Sequence, residues 1–293
     1  MRVAALYTCF NRREKTIRSL TRLYAALDKT KEDIKLSVFL TDDDSSDGTS
    51  RAVSEKFPMV HLLKGNGSLY WAGGMRNSWN EARKGDFDAY LLLNDDTDVY
   101  EHLFDSIAET NTFCIANYGT NGIYVGTTLD TASNEISYGG SVFVNRFLAT
   151  MKRVPFDVKT PQKCELGNAN IMWVPKEVVA KIGILSEGYI HGMADYDYTL
   201  KALNNNIPIL VIPGIQGECV NDHSNPYASF IHLNFRERVR MLYNPVGLDF
   251  RSQVHHMKKH FPIRLPIFYL MGWFKVFFPR YYYRKFQKLR ERN

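Results

Sequence analysis

The sequence predicts an α/β fold on a mostly parallel sheet, with a helical, basic and aromatic segment appended at its C-terminal end. Three observations carry that reading. In the first hundred residues, short apolar runs alternate four times with stretches whose apolar residues recur at helical spacing. Clusters of acids directly follow the second and fourth of those runs. Beyond residue 260, aromatic residues interleave with Lys and Arg almost without acids.

Val3–Thr8 is the first apolar run, and it stops at the polar turn Cys9-Phe10-Asn11-Arg12. Over Glu14–Leu27, Ile17, Leu20, Leu23, Tyr24 and Leu27 share one helical face. Leu36–Leu40 reads as a second buried strand, ending in Thr41-Asp42-Asp43-Asp44-Ser45-Ser46-Asp47-Gly48-Thr49. A helix over about 48–56, with Asp47 as its cap, leads to a third strand near Val60–Leu63. The turn Gly65-Asn66-Gly67 precedes a helix from about Ala72 to Lys84 that carries Met75 and Trp79 on one side. Ala89–Leu93 is the fourth strand and runs into Asn94-Asp95-Asp96-Thr97-Asp98. Such alternation implies parallel strands joined by helices that cover the sheet faces.

After about residue 120 the pattern changes. Ile123–Thr127 and Ser141–Val144 read as strands joined by polar turns, which predicts mixed or antiparallel pairing. Pro175–Ile182 reads as a short helix with Pro in its first turn, and Ile207–Ile212 as a last core strand.

Charge is unevenly distributed along the 293 residues. The net charge of +6 hides a tail, residues 251–293, with 11 Lys/Arg against one acid, Glu291; the remainder carries 26 basic and 30 acidic residues. A mildly acidic main body argues against nucleic acid as its partner. Cys9, Cys114, Cys164 and Cys219 show no CxxC spacing, which suggests neither a disulfide framework nor a zinc site and makes a reducing compartment the expectation. The apolar stretch at Met1–Tyr7 is too short for a signal peptide. In the tail, the longest uncharged run, Leu265–Phe274, falls well short of the roughly 20 residues a membrane span needs. Aromatics among bases fit an interfacial segment on an anionic membrane surface, with a helix packed on the rest of the chain as the alternative.

In open α/β sheets ligands bind at the carboxyl ends of the strands, so both acidic clusters are expected to open into one crevice. Crowded carboxylates raise each other's pKa unless a cation is present. Their hard oxygens suit Mg²⁺ or Mn²⁺, and such a metal would in turn bind a diphosphate.

Four segments, in order, resemble those of family 2 glycosyltransferases: Thr8-Cys9-Phe10-Asn11-Arg12, Thr41 to Thr49, Asn66-Gly67 through Gly73-Gly74-Met75-Arg76-Asn77, and Leu92-Leu93-Asn94-Asp95-Asp96-Thr97. The likeness covers roughly residues 3–225 and extends to bacterial rhamnosyl and polysaccharide-type members. It implies the GT-A fold, a Rossmann-like mixed and mostly parallel sheet flanked by helices. It also implies a catalytic domain over 1–240, with a nucleotide-binding half to about 115 and an acceptor half from about 116, before a tail at 241–293. The implied donor is a nucleotide-diphosphate sugar of UDP or dTDP type, transferred with inversion.

Carried over by position, Asp42 and Asp43 would lie by the base and ribose, with Thr8, Phe10, Arg12, Asn66, Gly73, Arg76, Asn94, Asp95 and Asn168 also lining the donor site. Asp96 would hold Mn²⁺ or Mg²⁺, with Asn94 as first member of the D-x-D motif; Asp96-Thr97-Asp98 is a second register. His223 would join the metal. The segment Gly192 to Leu200 resembles the family's base loop, which makes Asp195 the catalytic base and Asp197 the second acidic residue. Ala194 departs from the family, which commonly has Glu there. Tyr70-Trp71 would stack on a sugar, and His191 is a weaker candidate for acceptor contact.

The implied acceptor is a saccharide or a lipid-linked molecule, in bacterial cell-surface polysaccharide or lipopolysaccharide synthesis, on the cytoplasmic face of the plasma membrane. Two other readings stand beside this one. A sugar-phosphate nucleotidyltransferase would show glycines after the first strand, which Thr8 to Arg12 lack. A non-catalytic membrane-surface module draws its support from Ala194.

Overall fold

The computed structural model describes residues 1–220 and 229–287. The chain runs β1 (Arg2–Cys9), α1 (Arg13–Lys29), β2 (Lys35–Asp42), α2 (Thr49–Lys56), β3 (His61–Lys64), α3 (Tyr70–Ala82) and β4 (Ala89–Leu93). It continues through β5 (Asp98–Val99), α4 (Leu103–Tyr118), β6 (Ile123–Asp130), β7 (Glu135–Tyr138), β8 (Gly140–Asn145), β9 (Thr150–Arg153), β10 (Gln162–Lys163), β11 (Leu166–Gly167) and β12 (Ile171–Pro175). Next come α5 (Lys176–Ile182), α6 (Ala194–Asn204) and β13 (Ile209–Glu218). Last are α7 (Phe235–Tyr243), α8 (Phe250–His260), α9 (Leu265–Phe277) and α10 (Pro279–Tyr282).

The main sheet has the order β10-β13-β6-β12-β4-β1-β2-β3. β1 pairs in parallel with β2 and β4, and β2 with β3, as the alternation predicts. β12 runs antiparallel between β4 and β6, so the sheet becomes mixed in its second half. Outside the main order, β5 pairs β13, β7 pairs β6, and β8 joins β9 and β11 in a small sheet. The predicted helix at Pro175 starts one residue later, because Pro175 is still extended and closes β12.

Side chains alternate across β1 as a two-sided buried strand requires. Val3, Ala5 and Tyr7 enter a core with Leu20 and Leu23 of α1 and Leu91 and Leu93 of β4. The other side faces α3, where Gly74 lies so close that a Cβ would sit 2.0 Å from Thr8 Oγ1. Only glycine permits that approach of helix to strand. Trp79 is fully buried and packs on Tyr90 and Tyr198.

The chain divides into two compact units, one of Met1–Ser186 with Asp195–Asn221, the other of Glu187–Ala194 with Asp222–Asn293. In the second, α7 begins with a capping box between Asn234 and Glu237, and Phe230, Leu242, Leu248, Phe250 and Val276 form the core. Helix α8 also holds the 187–194 segment: Ser252 Oγ accepts from Ile190 N and Asp249 Oδ2 from Gly192 N, both at 3.0 Å. The four cysteines are buried free thiols.

Candidate active site

Within the first unit, the loops after β1, β2, β3 and β4 leave the same end of the sheet, since those strands are parallel. Antiparallel β12 starts at that end, with Ile171 beside Leu93. Asn168-Ala169-Asn170 therefore faces Asn94-Asp95-Asp96.

The loop after β2 is built by its own acids. Asp43 Oδ1 accepts from Asn66 N and Gly67 N at 3.2 and 2.8 Å, and Oδ2 from Leu69 N and Tyr70 N, both at 2.9 Å. A carboxylate has about four acceptor positions, and these bonds use them. Asp43, expected beside the donor's base and ribose, is thus committed to shaping the 65–70 turn. The turn hugs it so closely that a Cβ on Gly65 would lie 2.5 Å from its Oδ1. Asp42 Oδ1 accepts from Ser45 N at 2.8 Å and its Oδ2 from the Ser50 hydroxyl. Asp47 stands one residue before the Gly48 cap position, where it accepts from Thr49 N and, through its other oxygen, from Arg13 N. It therefore holds the starts of both α2 and α1. Burial pushes its pKa up, but the bonds from Thr49 and Arg13 outweigh that and bring it below the ordinary carboxylate value.

The loop after β4 is different. Arg12 Nη1 contacts both Asp95 Oδ1, at 3.4 Å, and Asp96 Oδ2. Lys15 Nζ lies 3.9 Å from the same Asp96 oxygen, and Thr16 donates to Asp95. Burial first, then the Asp96 charge, drive the Asp95 pKa up to about 7 against the pull of Arg12. Asp96 Oδ1 accepts from the Cys219 thiol at 3.6 Å, and Cys219 in turn accepts from Asn170 Nδ2 at 3.4 Å. Asn94 Oδ1 accepts from Trp71 Nε1 at 2.7 Å, which ties the start of α3 to the acidic loop. Asp98, the alternative register, is paired with Arg18 at 2.6 Å.

Asp195 comes to this region through the 168–170 segment. Its Oδ2 accepts from Asn168 Nδ2 and Ala169 N, each at 3.4 Å, and its Oδ1 from Tyr196 N at 2.8 Å. Desolvation raises its pKa while those three bonds oppose the rise. The path Asp195–Ala169–Asn170–Cys219–Asp96 thus consists of neighbours in chain or in hydrogen bonding. Asp197, one turn into the same helix, is fully buried.

Among the other predicted residues, Phe10 is exposed and Thr8 is buried under Gly74. Asn66 binds Ser68 through its side chain, and Arg76 donates to Ser186 O at 3.1 Å. Gly73 faces Leu69 and Arg76. His191 is half-buried in the 187–194 segment. His223 lies outside the described residues. Lys15 and Cys219 were not singled out from the sequence. Lys15 stands in the first turn of α1, three residues past Arg12 at the helix cap. Cys219 reaches Asp96 only through the pairing of β13, which no local pattern announces.

No three His, Cys, Asp or Glu side chains converge as a metal cage among the described residues. The oxygen donors at Asp95 and Asp96 nevertheless fit Mg²⁺ or Mn²⁺ chemistry, in which one or two carboxylates suffice when phosphates and waters complete the shell.

The sequence matches no family model, and no curated protein matches it. Solved structures match in fold. The mannosyltransferase PcManGT from Pyrobaculum calidifontis, in complex with GDP-Man and Mn²⁺, gives a TM-score of 0.54 at 14% identity over 93% of this chain and 69% of its own. S. aureus TarS 1-349 gives 0.50 at 16% identity over 83% of this chain and 66% of its own, and its complex with UDP gives the same values. By architecture the protein is an α/β protein with a mixed, mostly parallel sheet. More particularly, the chain has the GT-A fold and spans about two thirds of the length of the structures it matches.

Proposed function

We propose that the protein is an inverting glycosyltransferase that moves a sugar from a nucleotide-diphosphate donor to a hydroxyl of a saccharide or lipid-linked acceptor. The observation that carries this reading is the linkage of Asp195, through Asn168-Ala169-Asn170, to the acidic loop at Asn94-Asp95-Asp96. A proton acceptor and a phosphate-side cluster then serve one ligand.

In this reading Asp195 takes the proton of the acceptor hydroxyl as its oxygen bonds to the anomeric carbon. The bond from that carbon to the donor's phosphate oxygen breaks in the same displacement, and the nucleoside diphosphate leaves with the electron pair. Such a positioned base contributes about 10²–10⁴ in rate. The raised pKa of Asp195 brings its proton affinity nearer to neutral pH, which favours proton transfer. Arg12 and Lys15, which lie against Asp96, would in this reading neutralise the negative charge that grows on the diphosphate. Mn²⁺ or Mg²⁺, held by Asp96 with Asp95 beside it, would add Lewis-acid stabilisation of the leaving group when bound. Thr8, Phe10, Asp42, Asn66, Gly73, Arg76, Asn94 and Asn168 line the donor in this proposal, whereas Asp43 shapes the loop beneath it. The donor is of UDP or dTDP type, and the product belongs to cell-surface polysaccharide or lipopolysaccharide.

Release of nucleoside diphosphate from a panel of UDP-, dTDP- and GDP-sugars, with and without EDTA, tests the activity. Asp195→Asn is expected to bind donor normally while turnover falls by about 10²-fold or more. The base acts unprotonated, so wild-type turnover falls as pH drops through its pKa, with the acid limb above the ordinary aspartate value of about 3.9. Wild-type turnover by Asp195→Asn overturns the base assignment, and no release with any donor overturns the activity.

A further inference from the structure

We infer that the outer face of α9 and the turn after it form a docking surface for an anionic phospholipid bilayer. Ile267, Leu270, Phe274 and Phe277 recur at intervals of three and four residues, one stripe along α9, and Ile263 stands in the short 3-10 turn Pro262–Arg264 that leads into it. Ile263 and Leu270 are 75% and 71% exposed, and Ile267 and Phe277 are exposed as well. Phe278 and Tyr281 extend the stripe, with their rings 5.1 and 5.9 Å from that of Phe274. The opposite side of the helix is fully used. Phe268 stacks on Phe250 at 5.5 Å, Gly272 lies so close that a Cβ would sit 2.4 Å from the Phe250 ring, and Val276 is buried. The helix therefore cannot rotate to hide its apolar stripe without losing the core of its own unit.

Charge selects the occupant. No acid occurs between residues 250 and 290, while Lys258, Lys259, Arg264, Arg280, Arg284 and Lys285 precede and follow the stripe in sequence. A protein partner with a purely apolar face would bring no negative charge to this basic stretch. An anionic bilayer supplies hydrocarbon for the stripe and phosphate for the cations at the same depth. Arg238, Arg280 and His232 also border an open groove of about 580 Å³ floored by Phe277, Phe278 and Tyr281, a place for one lipid headgroup and the start of its chain. No described helix is long and apolar enough to cross a membrane, and α9, with 13 residues, is about 20 Å long, so the contact lies in the interface. Nothing in this surface depends on sugar transfer.

Flotation of the full chain with vesicles tests it, with phosphatidylcholine alone in one arm and phosphatidylcholine mixed with phosphatidylglycerol in the other. The chain is expected to float with the anionic vesicles, weakly with the neutral ones, and less at high salt. Ile267→Glu with Leu270→Glu is expected to cut binding about tenfold or more, with an unchanged Tm because both side chains are exposed. Turnover on a soluble acceptor is expected to stay at the wild-type level, which separates this inference from the proposed activity. Equal flotation of the substituted chain overturns the inference. So does absence of binding to anionic vesicles, or a dimer in solution that the same two substitutions dissolve.

Discussion

The loops after β2 and β4 look alike in sequence, each a cluster of aspartates at the tip of a buried parallel strand. Their carboxylates do different work. After β2, Asp43 accepts four backbone N–H groups and Asp42 and Asp47 bind residues of the same loop and the helix starts. After β4, Asp95 and Asp96 are answered by side-chain cations at the start of α1, Arg12 at its cap and Lys15 in its first turn. Asp43, whose acceptor positions are all taken by backbone amides, is part of the scaffold. Asp95 and Asp96, whose partners are a guanidinium at the cap of α1 and an ammonium in its first turn, would under the proposed function exchange them for a ligand. The two clusters thus differ in the chemistry of their partners and not in their spelling, and under the proposed function that difference separates scaffold from site.

Substitution can break that comparison, most forcefully at Asp43. In Asp43→Asn, one end of the amide can still accept two N–H groups, but the other end presents its own N–H to two more. Two unsatisfied donors cost about 2–6 kcal/mol, a large part of the roughly 5–15 kcal/mol that hold a domain folded. Thermal or urea unfolding should register it plainly. Asp42→Asn should cost less than about 1 kcal/mol, because Ser45 N still finds an oxygen and the Ser50 hydroxyl can reverse to accept from the amide. Equal losses at the two positions would show that the hydrogen-bond count does not govern this loop.

The loop after β4 is expected to behave in the opposite sense. Asp96→Ala removes one of two crowded carboxylates while Arg12 keeps Asp95, so the unfolding midpoint should hardly move. If Asp96 serves the donor as proposed, turnover should fall by about 10²-fold or more. Loss of stability with activity retained would place Asp96 with the scaffold.

Much of this is legible in the sequence. β1 to β4 and the helices between them carry apolar runs and helical spacing that leave little choice, and Ala89–Leu93 matches its predicted bounds. Helix α4 was not anticipated, because its buried residues, Leu103, Phe104, Ile107, Thr110 and Cys114, mix with Asn and Thr that favour helices poorly. The short strands β5, β7, β9, β10 and β11 were missed because two to four residues give no period to read, and their pairing is decided by distant partners. In the site, the acidic loops and Asp195 stood out by motif. The contacts that connect them, through Asn168, Ala169, Asn170 and Cys219, span separations of 26 to 123 residues and are products of the sheet order. The division of labour between Asp43 and Asp96 was invisible for the same reason.

The smallest expected effect lies at Asp47, and it sharpens the scaffold side of the comparison. Its pKa is depressed in the folded chain because it accepts from Thr49 N, Thr49 Oγ1 and Arg13 N. A carboxylate with a depressed folded pKa contributes stability that is present above its unfolded value of about 3.9 and lost as pH falls through the folded value. Asp47 is exposed, so solvent screens the contribution and keeps it modest. Asp47→Asn should therefore lower the Tm slightly near neutral pH and flatten the fall of Tm below pH of about 4, where the wild-type carboxylate takes up its proton. Thermal melts of both proteins across that range decide it: parallel curves would mean that the two helix starts are held by something other than this charge.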